Sequence, residues 1–470
     1  MIAPQRARIG RRRFLRSALT TAVVTATALR ANRARGAATP QLEAGEGVVD
    51  TTPPVGIELA GFHVTDGKKR LITGIRQPTA ARALVLRVGS EMAAVVSVDI
   101  AIVSREMSAR VRQRVAETTG IPAAHVRLCA THTHSMPGFH PLRQWGAVPL
   151  EYMAAVEAKI VEAVQLAKAD LAPAELSVGT SRAVGGNFNR TTAKWKTDEQ
   201  FTPQATDDER WLDTLVHVLR FDRAGGQRAL LWYHFSAHPV CYGDTQAGPD
   251  WPGLVDQRVR ESEKLAPVFL QGHAGDVNPG DGKVWIGDAA KTASAVHDAV
   301  RAANAAARAI KVDALKVRAG QVQVPLDIPL LRAQLDRYRA DPAACASGEW
   351  VDAGFAKDWF DDASKWDLAQ IHLSTDVTAL QVGELGWIFH PAELFSFYGL
   401  SIRSRSALPH TLVVGYADGI IGYLPDPKRF QEQGYEASVV PKILYLPPFT
   451  PTAGRSFTED VVKLAKQCFG

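Results

Sequence analysis

The stretch Cys129 to Phe139 reads CATHTHSMPGF and sets two histidines, His132 and His134, one residue apart. The residues before it, HVRLCA, alternate polar and apolar, which predicts a strand, and Pro137 and Gly138 end it. On a strand, residues two apart share a face, so both imidazoles point the same way unless the loop has already begun. Two converging imidazoles are the start of a metal site, although a merely polar strand end has the same pattern.

Three other places offer partners. SAHPV puts His238 at the end of an apolar strand, where burial keeps an imidazole neutral, the form that ligates metal. HPAELFSFYGLSIRSR puts Glu393 at the first turn of an amphipathic helix, directly after the apolar strand GWIF. A carboxylate there also serves simply to complement the helix dipole. GYADGIIGYLPDP puts Tyr423 in a glycine-bounded turn ahead of two prolines, and an ordinary loop aromatic would look the same.

The elements that must position these residues are interleaved. Strands are predicted at 81–88, 92–100 and up to the His-x-His pair, then at 175–181, 215–221, 229–238 and 266–272. Helices are predicted near 104–118, 151–171 and 252–264 and from Asp288 onward. This alternation predicts an α/β fold of mixed β-sheets layered with helices. The candidates run from His132 to Tyr423 with no Gly/Ser linker between them, so a single large catalytic domain over 45–470 is expected. The segment 329–370, with Trp350, Trp359 and Trp366, reads as a packed surface helix pair, a lid being the alternative. VVSVDI through HVRLCATHTHSMPG can also be laid against YHFSAHPV through APVFLQGHAGDVNPG. Two such strand-helix-strand units would put Asp99 and His238 at equivalent strand ends and the loops of His132 and Asp276 in one crevice.

RRRFLRS at 11–17 resembles the twin-arginine export motif, and the 13-residue apolar run behind it, Ser17 to Leu29, is too short to span a membrane. Residues 1–38 are therefore expected to be a signal read by the twin-arginine export machinery, and the chain to be periplasmic or secreted. Residues 1–36 hold nine of the 54 basic residues and no acid, so the remainder carries 45 basic against 49 acidic residues, a net charge of −4. The basicity belongs to the leader, and the mature balance gives no support to nucleic-acid binding. Cys129, Cys241, Cys345 and Cys468 form no CxxC pair and are expected to be mostly free, buried thiols.

Together TPPVGIELAGF, ARALVL, VSVD, ATHTHSMPG, FNR, SAHPV, DWPG, GDVNP, PAE and GYLP followed by GYEAS resemble the N-terminal catalytic region of the neutral/alkaline (non-lysosomal) ceramidases. The resemblance implies a zinc amidase with one Zn(2+) per chain, held by His132, His238, Glu393 and Tyr423. It implies that His134 shuttles protons or faces substrate, that Arg190 and Tyr435 act on the reacting amide, and that Asp276 and Asn278 lie at the substrate. The implied partner is a small-molecule or lipid N-acyl amide; the oligomeric state is left open.

Zinc with one open position lowers the pKa of water to about 7 and polarises an amide carbonyl. An imidazole can then carry the proton to the leaving amine, and Arg190 or Tyr435 can steady the oxyanion. Two departures bear on the substrate. Asn278 stands where ceramide-cleaving members carry serine, so no acyl-serine can form there and water must attack. The chain also ends at Gly470, so the C-terminal β domain of longer members is not expected. Smaller departures are Ala392 in place of glycine and Ile420 where tyrosine is common. Two rivals remain: a binuclear amidohydrolase-type centre in which His132 and His134 both ligate, and a catalytically silent zinc-binding homologue.

Overall fold

The computed structural model describes residues 41–470 apart from 65–67, 193, 203, 207–208 and 346–352. The export-signal reading of 1–38 and Trp350 both lie outside the described residues. Among those residues no helix is long and apolar enough to cross a membrane.

The first half of the chain builds one twisted sheet and its helices. Its elements begin with β1 (Leu42–Asp50), β2 (Ala80–Val88), β3 (Glu91–Val98), α1 (Arg105–Thr119), β4 (Val126–Ala130), α2 (Leu150–Ala169) and β5 (Ala172–Arg182). They continue with β6 (Asn187–Asn189), β7 (Leu215–Arg223), β8 (Leu230–Phe235), α3 (Trp251–Glu263), β9 (Pro267–Gln271), β10 (Val277–Pro279) and α4 (Ala289–Ala306). The sheet order is β9-β8-β7-β5-β1-β2-β3-β4, with Arg308–Ala309 added on β5. Its middle is antiparallel, and each end is a parallel pair: β3 and β4 joined through α1, β8 and β9 joined through α3. The two strand-helix-strand units of the sequence are thus the two ends of one sheet. The short β6 and β10 form a separate antiparallel ribbon.

The second half supplies β11 (Leu315–Pro325), α5 (Ile328–Ala340), α6 (Ala353–Ala363), β12 (His372–Val382), β13 (Leu385–Phe389) and β14 (Ala392–Leu394). It ends with α7 (Ser396–Ser404), β15 (His410–Val414), β16 (Gly422–Leu424) and α8 (Ala453–Phe469). The second sheet runs β11-β12-β13-β15, with β13 and β15 a third parallel pair.

Period-two alternation sorts the side chains into layers. Ala83, Val85, Val96 and Tyr233 pack in one core with α1 to α4. Their neighbours Leu84, Leu86, Val95 and Trp232 pack against Leu380, Trp387 and Leu412 of the second sheet. Val377, Ile388 and Val413 on that sheet's far face meet Trp359, Tyr398 and Phe457 of the later helices. The result is four layers, helix-sheet-sheet-helix, the expected α/β class. Apolar runs such as ALVL in β2 are buried on both faces, which is why they do not alternate with polar residues. α5 and α6 are a packed pair, with Leu331, Leu335, Phe355 and Trp359 all buried.

The chain after β15 crosses between the layers and lies along both edges of the first sheet. Gly415 N donates to Gln271 O at 3.1 Å, Ala130 N to Tyr416 O at 3.1 Å, and Asp418 N to Leu128 O at 2.8 Å. An ion pair from the buried Arg127 to the half-buried Asp418 fixes this crossing. The backbone groups that edge strands would leave unpaired are thereby used. All four cysteines are free, and Cys345 alone is not buried.

α2 lies flush on β1 because two glycines leave no side chain between them. A Cβ at Gly47 would sit 2.1 Å from Ala163 O, and one at Gly45 would sit 2.2 Å from Ala167 O. Gly47→Val is therefore expected to cost about 3 kcal/mol, the upper end of ordinary overpacking. Denaturant unfolding against wild type checks it; a loss under about 0.5 kcal/mol, the range of an indifferent surface change, would contradict the flush contact.

Candidate metal centre

β4 stops at Ala130, so the loop has begun before either histidine. His132 takes φ 63°, a left-handed turn that is uncommon outside glycine. Thr131 N to Val98 O at 2.9 Å and His132 N to Ile100 O at 3.1 Å pin this turn to the end of β3. His132 Nδ1 meets Ala101 O at 2.8 Å. A carbonyl only accepts, so Nδ1 carries a proton, and in the neutral ring Nε2 presents a lone pair. Tyr416 covers the ring, stacked at 4.1 Å between centroids.

His238 follows β8 and repeats the device. Its Nδ1 meets Val277 O at 3.0 Å, which again leaves Nε2 bare. Trp251 Nε1 holds His238 O at 3.2 Å, and Asp250 caps α3 while accepting Cys241 N at 2.9 Å. Burial pushes the His238 imidazole down to about 4, so it is neutral near pH 7.

Glu393 departs from the sequence expectation. It lies on β14, not in the first turn of a helix; α7 starts at Ser396. β14 pairs in parallel with β16, and Glu393 stands directly opposite Tyr423, which is therefore also on a strand and not in a turn. A dipole role for Glu393 is ruled out by position. Its Oε2 lies 3.4 Å from His132 Nε2 and 3.4 Å from His238 Nε2.

His134 Nε2 approaches His132 Nε2 to 3.3 Å. The nitrogens of His132, His134 and His238 all lie within 4.8 Å of one another, and all three rings are buried. Two imidazole nitrogens and a carboxylate oxygen thus face one another in the buried interior. Acceptors in that arrangement repel unless a cation lies among them, and N/O donors of this kind suit a divalent ion such as zinc. The residues fit a metal. Carbonyl partners on both Nδ1 atoms are the orienting contacts that metal-ligating histidines use.

Around this cluster the other expected residues divide. Tyr423 stacks on His238 at 6.5 Å, and Arg190 lies over the Tyr423 ring at 5.4 Å. Burial works against the Arg190 charge, but Tyr423, Glu436 and Glu393 raise its pKa above the usual value. Arg190 reaches Asn278 Oδ1 and Glu436 Oε1, both at 3.4 Å. Tyr435 OH meets His63 Nε2 at 3.1 Å, and its ring is 6.2 Å from Tyr423. Asp276 accepts Ser396 N and Oγ at 2.8 Å each and Asn189 Nδ2 at 2.7 Å. Asp99, just past the end of β3, pairs with Arg82 at 2.7 Å.

Several positioning residues escape sequence reasoning. Arg70 donates to the carbonyls of Ala60, His134, Tyr242 and Asp244 at 2.8 to 3.2 Å, clamping three loops around the cluster. Nothing in LITG or the lysines before it marks that role. Glu436 joins Arg190 to Arg429, and its only signal is its place beside Tyr435 in GYEAS.

Residues 42–248, which include His132, His134, Arg190 and His238, match the family described as neutral/alkaline non-lysosomal ceramidase, N-terminal. The chain resembles the neutral ceramidases. The neutral ceramidase of Mycobacterium tuberculosis (strain ATCC 25618 / H37Rv) is 27% identical over 264 residues, covering 51% of this chain and 40% of that protein. The chain thus aligns with about two-fifths of that relative's length. The crystal structure of neutral ceramidase from Pseudomonas aeruginosa matches with a TM-score of 0.69 at 18% identity, over 91% of this chain and 74% of that one. A ceramidase complexed with C2 matches at 0.67, also 18% identical, over 91% and 75% of the two chains. At such identity the likeness establishes a shared ceramidase-like fold.

In this site Gly61 is where His134 needs room. A Cβ there would sit 2.5 Å from the imidazole, at a φ of 95°, whereas Gly56 has a similar φ of 91° and open space. Both alanine variants bear backbone strain, but Gly61→Ala also pushes His134. It is expected to lose at least about 1 kcal/mol more stability than Gly56→Ala, the lower range of overpacking costs. Parallel thermal melts check the difference, and equal losses would show that the glycine gives His134 no room.

Proposed function

We propose that the chain is a zinc-dependent hydrolase of linear amides, cleaving an N-acyl lipid of ceramide type. The observation that carries this reading is the set of acceptors on His132, His238 and Glu393 that face one another with both Nδ1 atoms already bonded to carbonyls. The resemblance to neutral ceramidases supports the choice of an amide as substrate.

His132, His238 and Glu393 would hold the ion, with Tyr423 beside them. When bound, zinc supplies a Lewis acid that polarises the amide carbonyl and makes water nucleophilic near neutral pH. His134 Nε2 takes up the proton released on attack and returns it to the departing amine nitrogen. Burial and the neighbouring imidazoles depress its pKa, so it starts neutral and able to accept. Arg190 stays charged and presents a fixed positive group to the oxyanion, with Glu436 and Asn278 fixing its orientation. Phe62, Trp145, Tyr423 and Tyr435 supply aromatic surface around these groups for the apolar parts of the substrate.

Glu393→Gln is expected to lower zinc affinity by more than the roughly 10 to 100-fold typical of an outer-shell partner, while the apo protein keeps its fold. Metal titration with circular dichroism checks this, and unchanged affinity would remove Glu393 from the centre. The 3.3 Å approach of His134 to His132 keeps the rival reading alive, in which His134 is itself a ligand. His134→Ala is expected to keep its zinc and lose turnover by about 10² to 10⁴, the span of general acid-base catalysis. Loss of metal in step with activity would make His134 a ligand instead. Turnover is read by mass on a panel of N-acyl lipids and N-acyl amino acids. A zinc-loaded wild type that cleaves none of them would favour the silent homologue.

A further inference from the structure

The loop between β10 and α4 exposes Val284, Trp285 and Ile286 at 48%, 65% and 36%, the one run of three large exposed apolar residues among the described residues. Scattered single apolar residues are normal on a surface; a consecutive run on a protruding loop is not. The run is held in place. Gly287 N donates to Val284 O at 3.0 Å, and Asn278 Nδ2 donates to Trp285 O at 2.6 Å. Gly280 N to Gly186 O at 3.0 Å brings the neighbouring loop alongside, where Val184 is 74% exposed. This apolar edge therefore grows from the β6 and β10 ribbon, which carries Asn278 and leads directly into Arg190.

We infer that the loop 281–287 docks the protein on a lipid-water interface next to its candidate site. Two of the three carbonyls in the run are already bonded within the protein, which lowers the cost of bringing the loop against an apolar medium. A tryptophan between two β-branched aliphatics, beside the outward Lys283, is the mixture that settles at membrane interfaces. Three side chains also fall well short of the roughly 800 Å² that each partner gives a stable protein interface. The inference rests on the proposed reading for its purpose, delivery of an N-acyl lipid from a bilayer, but lipid binding is measured without any turnover.

The test compares the full chain with the double variant Val284→Ser/Trp285→Ser. Each is sedimented with substrate-free vesicles of phosphatidylcholine, alone or mixed with phosphatidylglycerol. The side chains are exposed, so the variant should melt with the wild type. Wild type is expected to co-sediment with both vesicles and the variant to bind each at least 10-fold more weakly. The variant should also cleave a short, water-soluble N-acyl amide at the wild-type rate while losing turnover of the same amide class embedded in vesicles. Wild type that stays in the supernatant, or a variant that binds as wild type does, overturns the inference. So does a wild-type dimer that the double variant converts to monomer, since the run would then be a contact between copies.

Discussion

Like-polarity groups pressed together in a buried interior are the constraint around which this molecule is organised. His132 and His238 each spend one ring nitrogen on a backbone carbonyl, and the other nitrogens converge on the same Glu393 oxygen. Leaving such acceptors buried and unpaired is costly, and a cation removes the cost. Metal binding at such a place is linked to folding free energy, because the ligands come from chain segments that meet only when both halves of the molecule are assembled. The cluster spans His132 to Glu393, with His132 and His238 on the first sheet's strand ends and Glu393 beyond the second.

The topology explains how they meet. β4, β8 and β13 each belong to a parallel pair, and His132, His238 and Glu393 each follow the carboxyl end of one of them. Crevices beyond the carboxyl ends of parallel strands are where open α/β sheets place their ligands. Here three such ends come from two sheets packed face to face. The crossing segment 415–418 bonds to β4 and β9 together, so the two sheets cannot slide without breaking backbone hydrogen bonds. Tyr416 on that segment stacks on His132, tying the alignment of the sheets to the orientation of one imidazole.

What could be read in the sequence follows the range of each signal. Long strands and helices announce themselves by periodicity, so the elements around His132 and His238 fell within a few residues of their observed bounds. β14 and β16 are three residues each, too short for any period, and they exist only because each pairs with the other. Glu393 therefore read as a helix start and Tyr423 as a turn. Arg70 and Gly61 act through carbonyls and space supplied by distant segments, and no local pattern encodes that. Asp276 sits in a motif that reads as a site loop, while its bonds to Ser396 and Asn189 come from segments that no local pattern links to it.

Asn278 ties two parts of the site's edge together. A serine hydroxyl has one donor and a short reach, whereas the asparagine amide bonds in two directions: Oδ1 to Arg190 and Nδ2 to Trp285 O. Those two bonds couple the orientation of the buried guanidinium to the seat of the exposed loop. With both ends of the side chain engaged and no hydroxyl present, the position cannot form an ester with an acyl group. Under the proposed reading an amide cleaved here would be attacked by water, and the acyl product would leave as a free carboxylate close to the positive charge of Arg190. That charge is balanced by Glu436, which moderates how tightly a carboxylate product would be held.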